Sequence, residues 1–261
     1  MHRILIGIVT GAALALVLSI PAFGAGTVVY GGVQSPVVCQ SAVKSGVGGT
    51  LSETTIATCT IPAGKIGPNG ALRLTYRLSY TGLTNNKTYA IKWGGSTLMS
   101  KTRNGASQIN DALQLVWMNR GSESSQVELT NSAASASFSA TNGTAQQTYS
   151  INTALDTTFS ITGTTTLEAA KTTTAITGNG AQCTATVSSH GLANGRYIKA
   201  SGASNCSTSG SPNADPVVVA ITDANTFVYP CTCNGTEAGT QATIEAYSEI
   251  SVESYTVEVL R

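Results

Sequence analysis

Between Leu72 and Tyr80 the chain alternates without a break. Leu72, Leu74, Tyr76, Leu78 and Tyr80 fall on one side, and Arg73, Thr75, Arg77 and Ser79 fall on the other. A period of two belongs to a half-buried strand, because a helix would scatter these five apolar residues around its axis. Such a strand is stable only where neighbours pair with it and a second layer covers its apolar side. The stretch 250–260 has the same period with one slip. Ile250 and Val252 keep one phase, while Tyr255, Val257 and Val259 keep the other. One extra residue near 253–254, a β-bulge, accounts for the change of face. The two stretches complement each other in charge, so 250–260 is expected to complete the sheet begun by 72–80, with its glutamates facing Arg73 and Arg77.

Further short strands are expected at 27–30, 36–39, 57–61, 88–93, 113–118, 126–130, 135–140, 148–152 and 157–162. Turn residues such as Asn69-Gly70 and Gly94-Gly95 separate them. No segment carries a long helical period. Close-spaced strands with Gly-rich turns argue for an all-β chain whose main domain is a jelly roll or β-sandwich. The composition shifts at 172–174 and at Gly178-Asn-Gly180. Strands are expected beyond it at 183–187, 197–200, 217–221 and 226–229. The expected organisation is a discontinuous jelly-roll domain, 25–171 and 243–261, interrupted by a small Cys-containing β module at 172–242.

Met1-His2-Arg3, an apolar run at 4–20 and small residues up to Gly24 have the layout of a secretory signal at 1–24. Membrane contact is expected only through that segment. The formal net charge is +1, which gives no general attraction to nucleic acid. Lys65, Arg73, Arg77, Lys87, Lys92, Lys101, Arg103 and Arg120 face only Asp111 within 65–120. These basic residues are not interleaved with stacking aromatics as a nucleic-acid groove requires. They fit strands that neighbour acidic ones.

Six cysteines in an exported chain point to disulfides. Cys39 with Cys59 is the expected bond of the first region, and Cys183, Cys206, Cys231 and Cys233 are expected to pair among themselves. A zinc site from those four is the alternative, although Cys231-Thr-Cys233 is too close for the usual ligand pair. No cofactor or metal is expected, and no catalytic residue. His190 is the histidine left after the signal, and it sits in a turn with no G-x-S-x-G motif nearby. Asp156 and Glu168 are the candidate carboxylate pair for glycoside hydrolysis. Asn86-Lys-Thr, Asn142-Gly-Thr, Asn205-Cys-Ser and Asn234-Gly-Thr match the glycosylation pattern at chance level. Trp93, Tyr89 and Lys92 are the candidates for a surface-binding patch, whereas Tyr76 and Tyr80 share the leucine face and belong to the core.

The ordered segments Ile61-Pro-Ala-Gly, Gly67-Pro-Asn-Gly-Ala-Leu-Arg-Leu74, Asn85-Asn-Lys-Thr88, Lys92-Trp-Gly-Gly95, Asn119-Arg120, Ser125-Gln-Val127, Asp156-Thr-Thr and Ile161-Thr-Gly resemble jelly-roll structural proteins of tailed bacteriophages. Ser254-Tyr-Thr-Val-Glu-Val-Leu260 is similar to the closing strand of such proteins. Within 172–242, His190-Gly-Leu192, Ser201-Gly202 and Asn225-Thr-Phe227 resemble a small β module of phage tail and baseplate proteins. The resemblance implies a non-enzymatic virion surface component that self-assembles, as a homo-oligomer of three or more chains, and attaches to a host surface glycan. The other expectation is a secreted or cell-surface β-sandwich module that binds carbohydrate or acts as an adhesin. Both place the folded chain outside the cytoplasm, exported or on a virion.

Overall fold

The computed structural model describes residues 36–82, 85–104, 110–129, 147–237, 239 and 241–260. The expected signal at 1–24 and the strands expected at 27–30 and 135–140 lie outside the described residues. Every regular element described is a strand. In chain order the first ten are β1 (Val37–Ser41), β2 (Ser45–Val47), β3 (Thr54–Ile61), β4 (Ala71–Thr81), β5 (Lys87–Trp93), β6 (Ser96–Arg103), β7 (Asn110–Asn119), β8 (Gln126–Glu128), β9 (Thr148–Tyr149) and β10 (Thr157–Thr164). The next nine are β11 (Lys171–Thr172), β12 (Ala175–Asn179), β13 (Gln182–Thr186), β14 (Tyr197–Ser201), β15 (Ala214–Val218), β16 (Ala220–Ile221), β17 (Thr226–Pro230), β18 (Asn234–Thr236) and β19 (Thr243–Ala246), and β20 (Glu249–Leu260) follows.

One sheet runs β1-β20-β4-β7-β8-β9, with β2 also on β20, and a second runs β3-β10-β5-β6. The eight main strands β1, β3, β4, β5, β6, β7, β10 and β20 can be counted one to eight along the chain. The first sheet then reads one, eight, three, six, and the second reads two, seven, four, five. That interleaving of two Greek keys is a jelly roll. The inner faces meet in one core, where Leu72, Leu74, Tyr76, Leu78, Val257 and Val259 pack against Ile56, Ile91, Trp93, Phe159 and Ile161. All pairings are antiparallel, so each strand turns one alternate set of side chains inward.

The closing strand lies where its pattern places it. β20 pairs antiparallel with β4, and the register shifts between Val252 and Ser254. That bulge lets Ile250 and Val252 share the core with Val257 and Val259. Two links close the sandwich along its edges. The Cys39–Cys59 disulfide joins β1 to β3, and the Tyr149 hydroxyl donates to the Leu98 carbonyl of β6 at 2.9 Å. Gly163 of β10 lies beneath the crossing, where an added Cβ would stand 2.8 Å from Ile56 Cδ1 and 3.0 Å from Val47 Cγ1.

Between β10 and β20 the chain builds two further sheets, β11-β19-β14-β15 and β16-β17-β13-β12-β18. They enclose a second core of Ile176, Ala185, Val187, Ile198, Phe227, Tyr229 and Ile244. It shares no residue with the first. The segments entering and leaving this insertion run side by side. Thr166 N–H donates to Ser248 Oγ, Ser248 N–H donates to the Thr166 carbonyl, and Glu168 N–H donates to the Ala246 carbonyl.

Two expectations change in detail. Residues 243–246 pair with β14 and β11 rather than with the jelly roll, because Ile244 and Ala246 are buried in the second core. The strand expected at 217–221 is two strands in different sheets, β15 and β16. Val219, buried between them, is where the chain steps from one layer to the other.

Candidate functional site

The candidate aromatic patch is not at the surface. Tyr89 and Trp93 are 0% and 1% exposed, because they alternate with Ile91 on the inner face of β5. Trp93 Nε1 donates to Thr157 Oγ1 at 2.9 Å. Tyr89 sits in a buried trio with Tyr76 and Tyr80, its hydroxyl 3.2 Å from that of Tyr76. Burial pushes the Tyr89 phenol up to about 12. Lys92 lies on the outer face, paired with Glu53 at 2.7 Å. The expected surface role of Tyr89 and Trp93 is therefore overturned. The alternation that assigned Tyr76 and Tyr80 to the core applied equally to β5.

The candidate catalytic groups are also accounted for. His190 is buried rather than exposed. Its Nδ1 accepts from Leu192 N–H at 3.0 Å, and its Nε2 therefore donates to the Asp223 carbonyl at 2.8 Å. Both ring nitrogens are thus engaged in holding a turn. Asp156 Oδ1 accepts from Ala63 N–H at 2.8 Å, just before β10, and Glu168 lies beyond the other end of that strand. An eight-residue strand separates them by roughly 25 Å, far outside the reach of a glycosidase pair. The zinc alternative fails as well, because Cys183 is bonded to Cys231 and Cys206 to Cys233.

Those two disulfides define the most organised irregular region of the insertion. β14 starts beside Arg196, next to the jelly roll, and runs away from it to Ser201. Loop 202–213 therefore lies at the far end. Cys206–Cys233 ties this loop to the segment before β18, and Cys183–Cys231 ties the same segment to β13. Backbone bonds from Ser207 to Thr236 and from Thr208 and Ser209 to Asn234 hold part of this loop, and side chains satisfy more of it. Asn213 Oδ1 accepts from Ala203 N–H, and its Nδ2 donates to the Ala203 carbonyl, both at 3.0 Å. Ser211 N–H donates to Thr232 Oγ1 at 3.1 Å, and the Tyr229 hydroxyl donates to the Pro212 carbonyl at 2.8 Å. At the neighbouring turn Asn179 Oδ1 accepts from Ala181 and Gln182 N–H groups.

Ser207, Thr208, Ser209, Thr232, Asn234 and Thr236 are left exposed at this end. They are uncharged hydroxyls and an amide on a braced backbone, able to donate and accept hydrogen bonds at little entropic cost. They supply no nucleophile–base pair. Among the described residues no three His, Cys, Asp or Glu side chains converge as metal ligands. The cysteines signalled this region in the sequence, but nothing in the spacing showed which loops they would hold together. Three disulfides fit an oxidising, extracellular setting. Comparison with protein-family models, with curated proteins and with solved structures gave no match.

Proposed function

We propose that the chain is a non-enzymatic structural protein of a virion surface, in which the jelly roll is the assembly unit and the insertion projects a host-attaching tip. The observation that carries this reading is the arrangement of the insertion. A separately cored β unit leaves the jelly roll between its seventh and eighth strands and carries a disulfide-braced polar end on its far side. The resemblance of the turn and strand motifs to phage jelly-roll proteins supports it further. In this reading residues 25–171 and 243–261 form the assembling domain, as a trimer or larger homo-oligomer, and 172–242 the displayed one. Native mass measurement and negative-stain imaging of the oxidised chain test the proposal. Closed rings or arrays are expected, and a monomer at every concentration would overturn it.

The three disulfides also favour a second reading, a secreted or cell-surface module that binds carbohydrate through the same polar end. A glycan array separates the two, since a monomer with a reproducible sugar profile belongs to the second reading alone.

A further inference from the structure

The two sheet pairs meet at a buried charge cluster that neither core needs for its own packing. Both connecting segments carry a carboxylate there, Glu168 on the way into the insertion and Glu249 on the way out. Arg196, on the turn that leads into β14, reaches between them. Its Nη2 stands 2.9 Å from Glu168 Oε1 and donates to the Tyr247 carbonyl at 2.6 Å, while its Nε lies 3.7 Å from Glu249 Oε1. The Arg196 side chain is only 9% exposed, and its Nε has no hydrogen-bond partner. Lys87 of β5 is buried alongside, with its ammonium donating to the Gly82 and Asn85 carbonyls. Tyr197 follows directly and lies over Gly48 and Gly49, where a Cβ would stand 3.2 Å and 2.7 Å from its ring. A two-stranded ribbon alone can twist. A guanidinium bonded to both of its sides, from inside the insertion, removes that freedom.

We propose that Arg196 clamps the insertion to the jelly roll as one body, through Glu168 and Tyr247 on the two connecting segments and Glu249 at the start of β20. The charged groups around Glu249 are Arg196, Lys44 and Glu168, with Lys87 next to Arg196 and Glu168. Lys171 and His190 line the same small cavity as Glu168. Burial outweighs the attraction of Arg196 and Lys44 and raises Glu249 above its ordinary 4.5. The clamp holds whether or not the chain belongs to a virion.

The test is single-molecule energy transfer on the full oxidised chain, with dyes on non-canonical residues at exposed Thr158 in the jelly roll and Asn205 in the insertion. For the unsubstituted chain the distance distribution is expected to be narrow. Arg196→Met should be at least twofold wider while near-ultraviolet circular dichroism shows both cores intact. An Arg196→Met distribution as narrow as the parent overturns the clamp. Should Arg196→Met fail to fold, Glu168→Gln decides instead, a wider distribution supporting the clamp and one as narrow as the parent's overturning it.

Discussion

Glu258 Oε2 lies 2.7 Å from Arg73 Nε, joining two strands whose partners stand 185 residues apart in the chain. The pair sits at matched positions of β20 and β4, and the guanidinium holds its proton above the ordinary range because the carboxylate accepts from it. Both side chains are partly exposed, so the contribution is that of a cross-strand pair, about 0.2–1 kcal/mol. A double-mutant cycle with Arg73→Ala and Glu258→Ala should return a coupling in that range. Glu258→Lys should destabilise more than Glu258→Ala, read as a lower urea midpoint.

Removing residues 254–261 should abolish the cooperative unfolding of the jelly roll. β20 is the strand between β1 and β4, so its loss opens the middle of a sheet and uncovers Leu72 and Leu74. Near-ultraviolet circular dichroism during heating checks this, and a retained sharp transition would count against β20 as the closing strand.

The way the closing strand was visible in advance shows what alternation conveys. The apolar phase of 72–80 and the slip near 253 locate the core face and the bulge directly, since a side chain's face follows from its parity. Parity also contained the burial of Tyr89 and Trp93, because they share the phase of Ile91. Aromatic content alone suggests a patch for these rings, and their phase outweighs it. The pairing of Cys183 with Cys231, rather than with Cys206 or Cys233, was not legible, because it depends on which strands become neighbours after folding. The Arg196 cluster was equally hidden, since Glu168, Arg196 and Glu249 acquire a common site only when both sheet pairs exist.

Gly163→Ala should destabilise by about 1–3 kcal/mol through overpacking. The added methyl would meet Ile56, Val47 and Ile250, all buried and drawn from three strands. Gly95→Ala, where a Cβ meets nothing but φ is +82°, should also destabilise, through backbone strain instead. Pairing each with Ile56→Val separates the causes. The smaller neighbour should relieve Gly163→Ala and leave Gly95→Ala unchanged.

Loss of Cys183–Cys231 should cost more than loss of Cys39–Cys59. The two bonds span 48 and 20 residues, which corresponds to about 4 and 3 kcal/mol of unfolded-chain entropy in the loop-closure model. Paired Cys→Ala variants compared by denaturant midpoint test the order.

Burial raises the Glu237 carboxyl above its ordinary 4.5, against a hydrogen bond from the Ala242 backbone. The stability this contributes is complete below about 4.5 and is lost as pH rises through the raised value. Glu237→Gln should therefore flatten the decline of the melting temperature between pH 5 and pH 8. An unchanged slope in that variant would assign the decline elsewhere.

The side-by-side course of Thr166 and Ser248 bears on how the chain reaches its topology. A connection lengthened tenfold costs about 2 kcal/mol more to close if it is slack. A unit with its own core, whose two ends emerge hydrogen-bonded together, shortens that connection again as soon as it folds. To the jelly roll, the folded insertion is a tight turn. Sequences of quite different size can therefore occupy this position without altering the register of β20 on β4, provided their ends leave as neighbours.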